Sequence, residues 1–219
     1  MKRIIAAVLL MLGGGQAFAQ DAPKLYTVAS PFDRYTHYVV TGRFTGAVPL
    51  GAFSKDYIDK TSFQNASISL EWVFRNAPVS IGGEIGSYYF EKRLPRTVYD
   101  NGDETISAVQ TRTLSQYPVE VFANYLLLPK TSSVQPYVQV SGGISILDHT
   151  VYYGSLSSQN QKVAPRYGIG VGSRFLFRKD GSFGADVRVK YSGTAYKFEE
   201  ITKGISSVNG SIGLFYRWW

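Results

Sequence analysis

The C-terminal stretch SIGLFYRWW places Ile212, Leu214, Tyr216 and Trp218 on every second position. A period of two belongs to a β-strand with one apolar face, and that face must touch either a packed core or lipid. No other feature of the chain limits its fold as much, because the alternation recurs in seven earlier segments. Segment 37–48 sets Tyr38, Val40, Phe44 and Val48 against His37, Thr41, Arg43 and Thr45, and segment 66–75 sets Ile68, Leu70, Trp72 and Phe74 against Ser67, Ser69, Glu71 and Arg75. Segments 79–89, 116–127, 137–146, 166–178, 183–192 and 208–219 repeat the pattern. Eight amphipathic strands of about ten residues predict one antiparallel meander.

The connections alternate in length. Those after the second, fourth and sixth segments are short (NAP, PKTSSVQ, KDGS), and the others predict loops of a dozen residues or more. An eight-stranded antiparallel up-and-down transmembrane β-barrel, with its short turns at one end, has this rhythm. A secreted barrel with its apolar face turned inward around a ligand is the rival.

Three observations favour lipid outside. Aromatics on the apolar face gather at the strand ends: Tyr38, Trp72, Phe74, Tyr125, Phe175, Phe177, Phe183, Tyr216 and Trp218 at the short-turn end, and Tyr89, Tyr117, Tyr167 and Tyr191 at the other. Two such girdles are what the two interfaces of a bilayer select. The apolar face is almost free of charge, whereas the polar face carries Arg43, Glu71, Arg75, Glu84, Glu120, Arg166, Arg174, Asp186, Arg188 and Lys190. Facing lipid at mid-depth, Arg or Lys costs about 2–4 kcal/mol, so these side chains belong in the lumen. Finally, about ten tilted residues span the hydrocarbon thickness.

Residues 1–19 read as a cleaved signal peptide: Lys2 and Arg3, an apolar run from Ile4 to Leu12, and an Ala17-Phe18-Ala19 cleavage site. Residues 20–34, with Pro23 and Pro31, read as a periplasmic lead-in, and residues 35–219 as the barrel. The chain has no Cys, which excludes a disulfide framework. Without Lys2 and Arg3, 21 of the 23 basic residues remain against 16 acidic ones, a modest excess for an exported chain and no argument for nucleic acid.

The signal, the eight segments, the alternating connections and the aromatic last strand together resemble the small outer-membrane β-barrels of Gram-negative bacteria, such as OmpX-like proteins and the OmpA transmembrane domain. The resemblance covers nearly all of 20–219, in pattern rather than in one motif. It implies residence in the outer membrane, contact with lipid and lipopolysaccharide, and a last strand read by the barrel-assembly machinery. Ile212, Leu214, Tyr216 and Trp218 fit that signal, with Trp219 one position past its phase.

The residues that carry chemistry are few. His37 and His149 are the only histidines, expected at opposite ends of the barrel, with His149 in a long loop. Asp148, His149 and the nearby Ser155, Ser157 and Ser158 invite a hydrolase reading, but adjacent side chains on a strand point apart, and a solvated loop is preferred. The His-x-Ser arrangement of lipid A deacylases is absent. GIGVG at 168–172 puts glycines on a lumen face with no helix following, not a nucleotide loop; they leave room for Phe122, Tyr88 or the arginines. DNGDE at 100–104 lacks calcium-loop spacing and reads as a turn. No catalytic residue, cofactor or metal is expected. The lumen acids are expected to pair with the lumen cations as a plug. Lys92, Arg93, Arg96, Arg112 and Arg166 are expected at the depth of lipopolysaccharide phosphates, with solvated loop charge the competing reading. The expectation is a non-enzymatic barrel serving binding by an unknown extracellular partner, adhesion or envelope integrity; a lipid-modifying enzyme and a narrow pore stay open as alternatives.

Overall fold

A computed structural model describes residue 32 and residues 35–219 apart from 101–104, 131, 154–155, 179–180 and 197–203, with the side chains of 56, 96–100, 105–108, 153 and 156–157 outside the description. Eight strands follow one another: β1 (His37–Leu50), β2 (Ser62–Val73), β3 (Val79–Asp100), β4 (Thr105–Leu126), β5 (Val134–Tyr153), β6 (Leu156–Leu176), β7 (Phe183–Thr194) and β8 (Ile205–Trp218). Each pairs antiparallel with its neighbours, and β8 returns to β1 over Tyr38↔Trp218 to Leu50↔Ser206, so the barrel closes. Closure gives the ladder a partner on both sides of every strand through the barrel body, a condition lipid imposes.

The parity expected from the sequence holds in all eight segments. Odd residues of β1 and β8 and even residues of β3, β4, β6 and β7 point inward, and most large apolar side chains of the barrel body point out, with Val121 63% and Leu214 65% exposed. On the outside, Tyr38 stacks on Trp72 and Trp218 at ring distances of 6.0 and 5.6 Å, and Tyr216 lies 5.8 Å from Trp218. Phe74, Tyr89 and Trp218 are half-buried members of the same outward set.

The long connections after the third and fifth segments are a correction. They are not loops: β3 with β4, and β5 with β6, continue as paired strands to Asp100↔Thr105 and Tyr153↔Leu156. β4 and β5 stay paired up to Gln110↔Tyr153, so β3 to β6 form one sheet that rises past the barrel body. β2 leaves β3 at Ser87, and β7 joins β6 only from Arg166. Asn65 ends the β2–β3 ladder: its Oδ1 accepts the Tyr89 N–H at 2.8 Å while its Nδ2 donates to the Thr45 carbonyl at 3.1 Å.

The connection after β1 does not stand in solvent either. Gly51, at φ 63°, turns the chain inward, and a single π-helical turn, Phe53–Tyr57, follows. Phe53, Tyr57 and Ile58 are buried in the barrel mouth against Phe90, Leu114, Leu147 and Tyr196. A lower apolar cluster of Val39, Val73, Leu126, Tyr137, Leu176 and Phe215 fills the short-turn end.

Neighbouring glycines on β5 show how tightly the wall fits. A Cβ at Gly143, which faces inward, would stand 2.1 Å from the Val119 carbonyl oxygen, whereas one at Gly142, which faces out, meets nothing within 4 Å. Gly143→Ala should therefore lower unfolding stability by about 2 kcal/mol or more. Gly142→Ala should leave it level or raise it slightly, since it restricts the unfolded chain alone. Urea midpoints of the refolded protein in lipid vesicles measure both.

A buried charge network as the candidate functional site

Among the described residues, strand pairing gathers nine acidic and basic side chains into one lumen network, each no more than 5% exposed, with Arg217 buried below them. They form three connected groups. Arg43 on β1 binds Asp186 on β7 through Nε at 2.7 Å and Ser69 through Nη1 at 2.7 Å. Asp186 also accepts the Tyr137 hydroxyl at 2.9 Å, and Arg174 lies 3.7 Å away. Arg174 reaches across to Glu71 on β2, whose other oxygen accepts Ser80, and its guanidinium lies 5.1 Å from the Tyr137 ring centroid.

The next group is a fork. Arg188 holds both oxygens of Glu84 at 2.5 and 2.8 Å and also donates to Gln139 at 2.9 Å. Two parallel bonds make this the strongest geometry open to a guanidinium and a carboxylate. Arg43 Nη1, 3.9 Å from Glu84, joins it to the first group. Above them Glu120 takes Lys190 on one oxygen and Arg166 Nε on the other at 2.7 Å. Arg166 places three of its four other N–H groups on Gln116, Ser192 and Thr194, with the Tyr88 ring centroid 5.1 Å from its charge.

Five cations thus face four carboxylates, and every carboxylate has at least one cation. Glycines on β6 make this possible, though not for the neighbours expected. The Tyr137 ring fills the space beside Gly172, and Lys190 the space beside Gly168 and Gly170; Phe122 lies against Gly82 and Tyr88 against Gly86.

Two residues are reassigned. Arg75 is exposed in the β2–β3 turn and takes no part in the network, because β2 ends at Val73. Arg166 is buried in the network rather than near the lipopolysaccharide phosphates, because β6 extends from it a further ten residues toward Leu156. Of the other cations assigned to the outer rim, Arg93 is exposed and Lys92 pairs with Asp59 at 3.1 Å. The hydrogen bond from Lys92 holds the Asp59 carboxyl below the usual range. Arg112 lies 5.2 Å over the Tyr57 ring, and the Arg96 side chain lies outside the described residues.

His149 is also moved, from a loop to the inner face of β5, where Nε2 meets the Tyr57 hydroxyl and ties the inserted turn to the wall. Asp148 faces the other way and accepts Gln159 Nε2 at 3.0 and 2.9 Å. Ser158 is exposed, and Ser155 and Ser157 have side chains outside the described residues, as do residues 101–104. His37 lies at the short-turn end, its ring 5.4 Å from Phe32. Among the described residues no group of His, Asp and Glu could hold a metal ion.

Described residues lie over the network at both ends of the lumen. Below the network, Arg217 lies 3.7 Å over the buried Phe32 ring, which meets Trp219 edge-on at 5.0 Å, and a void of about 10 Å³ among His37, Leu126, Arg174 and Phe215 is no larger than one water needs. Above it sits the inserted turn.

No protein-family model and no curated protein matches the sequence. Solved structures do match. Ail, the attachment invasion locus protein of Yersinia pestis, is 12% identical, with 84% of this chain and 99% of that one covered and a TM-score of 0.50. A major outer membrane protein from Thermus thermophilus is 11% identical, with 84% and 100% covered and a TM-score of 0.50. The fold is that of the small eight-stranded outer-membrane β-barrels. At such identities the likeness is one of architecture, so the role of the lumen rests on its own geometry.

That geometry makes a prediction about pairing. Glu120→Leu leaves Arg166 and Lys190 buried around an apolar side chain and should cost about 3–5 kcal/mol. Glu84→Leu combined with Arg188→Met removes both partners of the fork and should cost less than Glu84→Leu alone. Equilibrium unfolding in vesicles compares the three.

Proposed function

We propose that the chain is a non-enzymatic integral protein of the bacterial outer membrane, exported with loss of residues 1–19, that passes no solute and binds partners through the sheet rising above its barrel. The observation that carries this reading is the change in the outer face along β3–β6. Up to Tyr89, Tyr117 and Tyr167 that face is apolar and aromatic; beyond them it becomes mixed, with Glu91, Arg93, Thr113, Asp148, Gln159 and Gln161 beside Tyr152 and Val163. A bilayer that ends at these tyrosines leaves the rest of the four strands in water.

Two edges of the raised sheet support a binding role. Above Tyr89 on β3, and in 156–161 on β6, the ladder has a neighbouring strand on one side only among the described residues, Pro165 already accepting the Ala195 N–H at 2.9 Å. An extended segment of a partner can add to such an edge through main-chain hydrogen bonds. The β3 edge is guarded by Lys92, Arg93, Pro95 and a register shift between Arg93 and Arg96, which discourage strand addition. The β6 edge, with Gln159, Asn160 and Gln161, has only Lys162 as a charge in 158–164 and is the better acceptor. Exposed Arg93 also favours lipopolysaccharide phosphate, and β8, whose outward Tyr216 and Trp218 stack on each other, fits the strand that assembly machinery would read.

The pore alternative conflicts with the buried lumen, since side chains lining a water column would be exposed to it. The mature chain refolded in detergent should run as a heat-modifiable, β-rich species and should give no conductance steps in planar bilayers. Cells displaying it should adhere to protein- or glycan-coated surfaces, and replacing 150–161 by a short turn should abolish adherence while leaving heat-modifiability intact. Steady conductance, or adherence that survives the shortened hairpin, counts against the reading.

A further inference from the structure

We infer that the groove between the β2–β3 and β4–β5 turns binds one anionic phospholipid of the leaflet at the short-turn end. The inference rests on the membrane reading proposed above and adds a ligand site at the end of the barrel opposite the raised sheet. The groove has a volume of about 330 Å³; Pro78, Leu128 and Pro129 supply its apolar wall, Asn76 a polar group, and Arg75 and Lys130 its two charges. Among the described residues no carboxylate lines it.

Its depth and its charge point to the same ligand. Both chain segments leave the outward aromatic band at this level: Trp72 and Tyr125 are 48% and 54% exposed, Leu127 and Leu128 are 55% and 45% exposed, and Arg75 and Lys130 follow within three residues. Apolar rings one strand-turn from a pair of cations is the order in which a bilayer presents acyl chain and phosphate. One of the two charges is held in place as well. Lys130 donates to the carbonyls of Phe74 and Arg75, the latter at 3.0 Å, so the β4–β5 turn reaches across to the β2–β3 turn and its ammonium stays at the groove. Arg75 is exposed, and its planar guanidinium can take two phosphate oxygens at once. The ammonium of a zwitterionic headgroup would be repelled by both cations, whereas a phosphoglycerol headgroup would not. Leu127 and Leu128 lie outward beside the phosphate position, where an acyl chain begins.

The full mature chain in nanodiscs of phosphatidylethanolamine with added phosphatidylglycerol tests this by native mass spectrometry, counting the lipid that stays bound as the disc is stripped away. One phosphatidylglycerol should be retained in preference to phosphatidylethanolamine. Arg75→Gln should reduce that retention about fivefold, the effect of one surface cation near anionic lipid. Arg178→Gln, which removes an exposed cation near the third short turn outside the groove, should change it by much less, and excess inorganic phosphate should not displace the lipid. Equal retention of both lipids, equal loss in the two variants, displacement by phosphate, or binding of an acidic peptide in place of lipid overturns the inference. A heat-modifiable barrel without lipid selectivity defeats this site alone; a chain that stays monomeric and soluble without detergent defeats the membrane reading itself.

Discussion

Eight strands close around a space only just wide enough for side chains, and the inside of this protein follows from that narrowness. A cation in such a lumen cannot keep a hydration shell, so it must reach a carboxylate, and the carboxylate must lie on a strand across the barrel. Arg188 and Glu84 are 104 positions apart and Arg43 and Asp186 are 143 apart, yet each pair meets at hydrogen-bond distance. The low dielectric strengthens each pair and makes each unpaired group costly, so pairing has to be nearly complete. The same narrowness sets the glycines. Tyr137 can place its hydroxyl on Asp186 only because position 172, across the ladder, carries no side chain.

The outer surface obeys a different solvent. Through the barrel body lipid requires both a closed ladder and an apolar face, and β1, β2, β7 and β8 stop near the level where that requirement ends. Water satisfies unpaired edge groups, so β3 to β6 can go on as an open sheet. Because this sheet rises on one side only, the mouth is left half-walled, and the segment after β1 fills the gap: Tyr57 meets His149 on the raised wall, and Phe53 meets Phe90 edge-on at 5.5 Å.

How much of this the sequence discloses depends on how many solvents a residue meets. Where one face meets lipid and the other the lumen, alternation is strong, and the inward set of Arg43, Glu71, Glu84, Glu120, Arg174, Asp186, Arg188 and Lys190 can be read from it residue by residue. Partners cannot, since they follow from the closure and tilt of the whole barrel. Alternation persisting through Phe74 and Arg75 hides the end of β2 at Val73, which is why Arg75 reads as a lumen residue. In EKRLPRTVYD both faces are polar, the period fades, and a strand reads as a loop; the same fading before position 166 puts Arg166 at a strand end instead of deep in the barrel. A five-residue π-turn is too short to show any period, so the insertion of Tyr57 and the position of His149 opposite it left no signal.

Burial of the network also bears on where variation is tolerated. Phe32 and Trp219 below, and Phe53, Tyr57 and Ile58 above, keep bulk water from the network, so its pairs act in a medium where substitution of either partner is expensive. The outward belt is constrained as firmly, because a polar side chain there faces hydrocarbon. What remains is the raised sheet and the short turns, where side chains and edge groups already meet water and can change without cost to the barrel. A binding activity evolving on this scaffold has those two regions to work with, one at each end of the barrel, and the outer β6 edge and the Arg75–Lys130 groove lie in them.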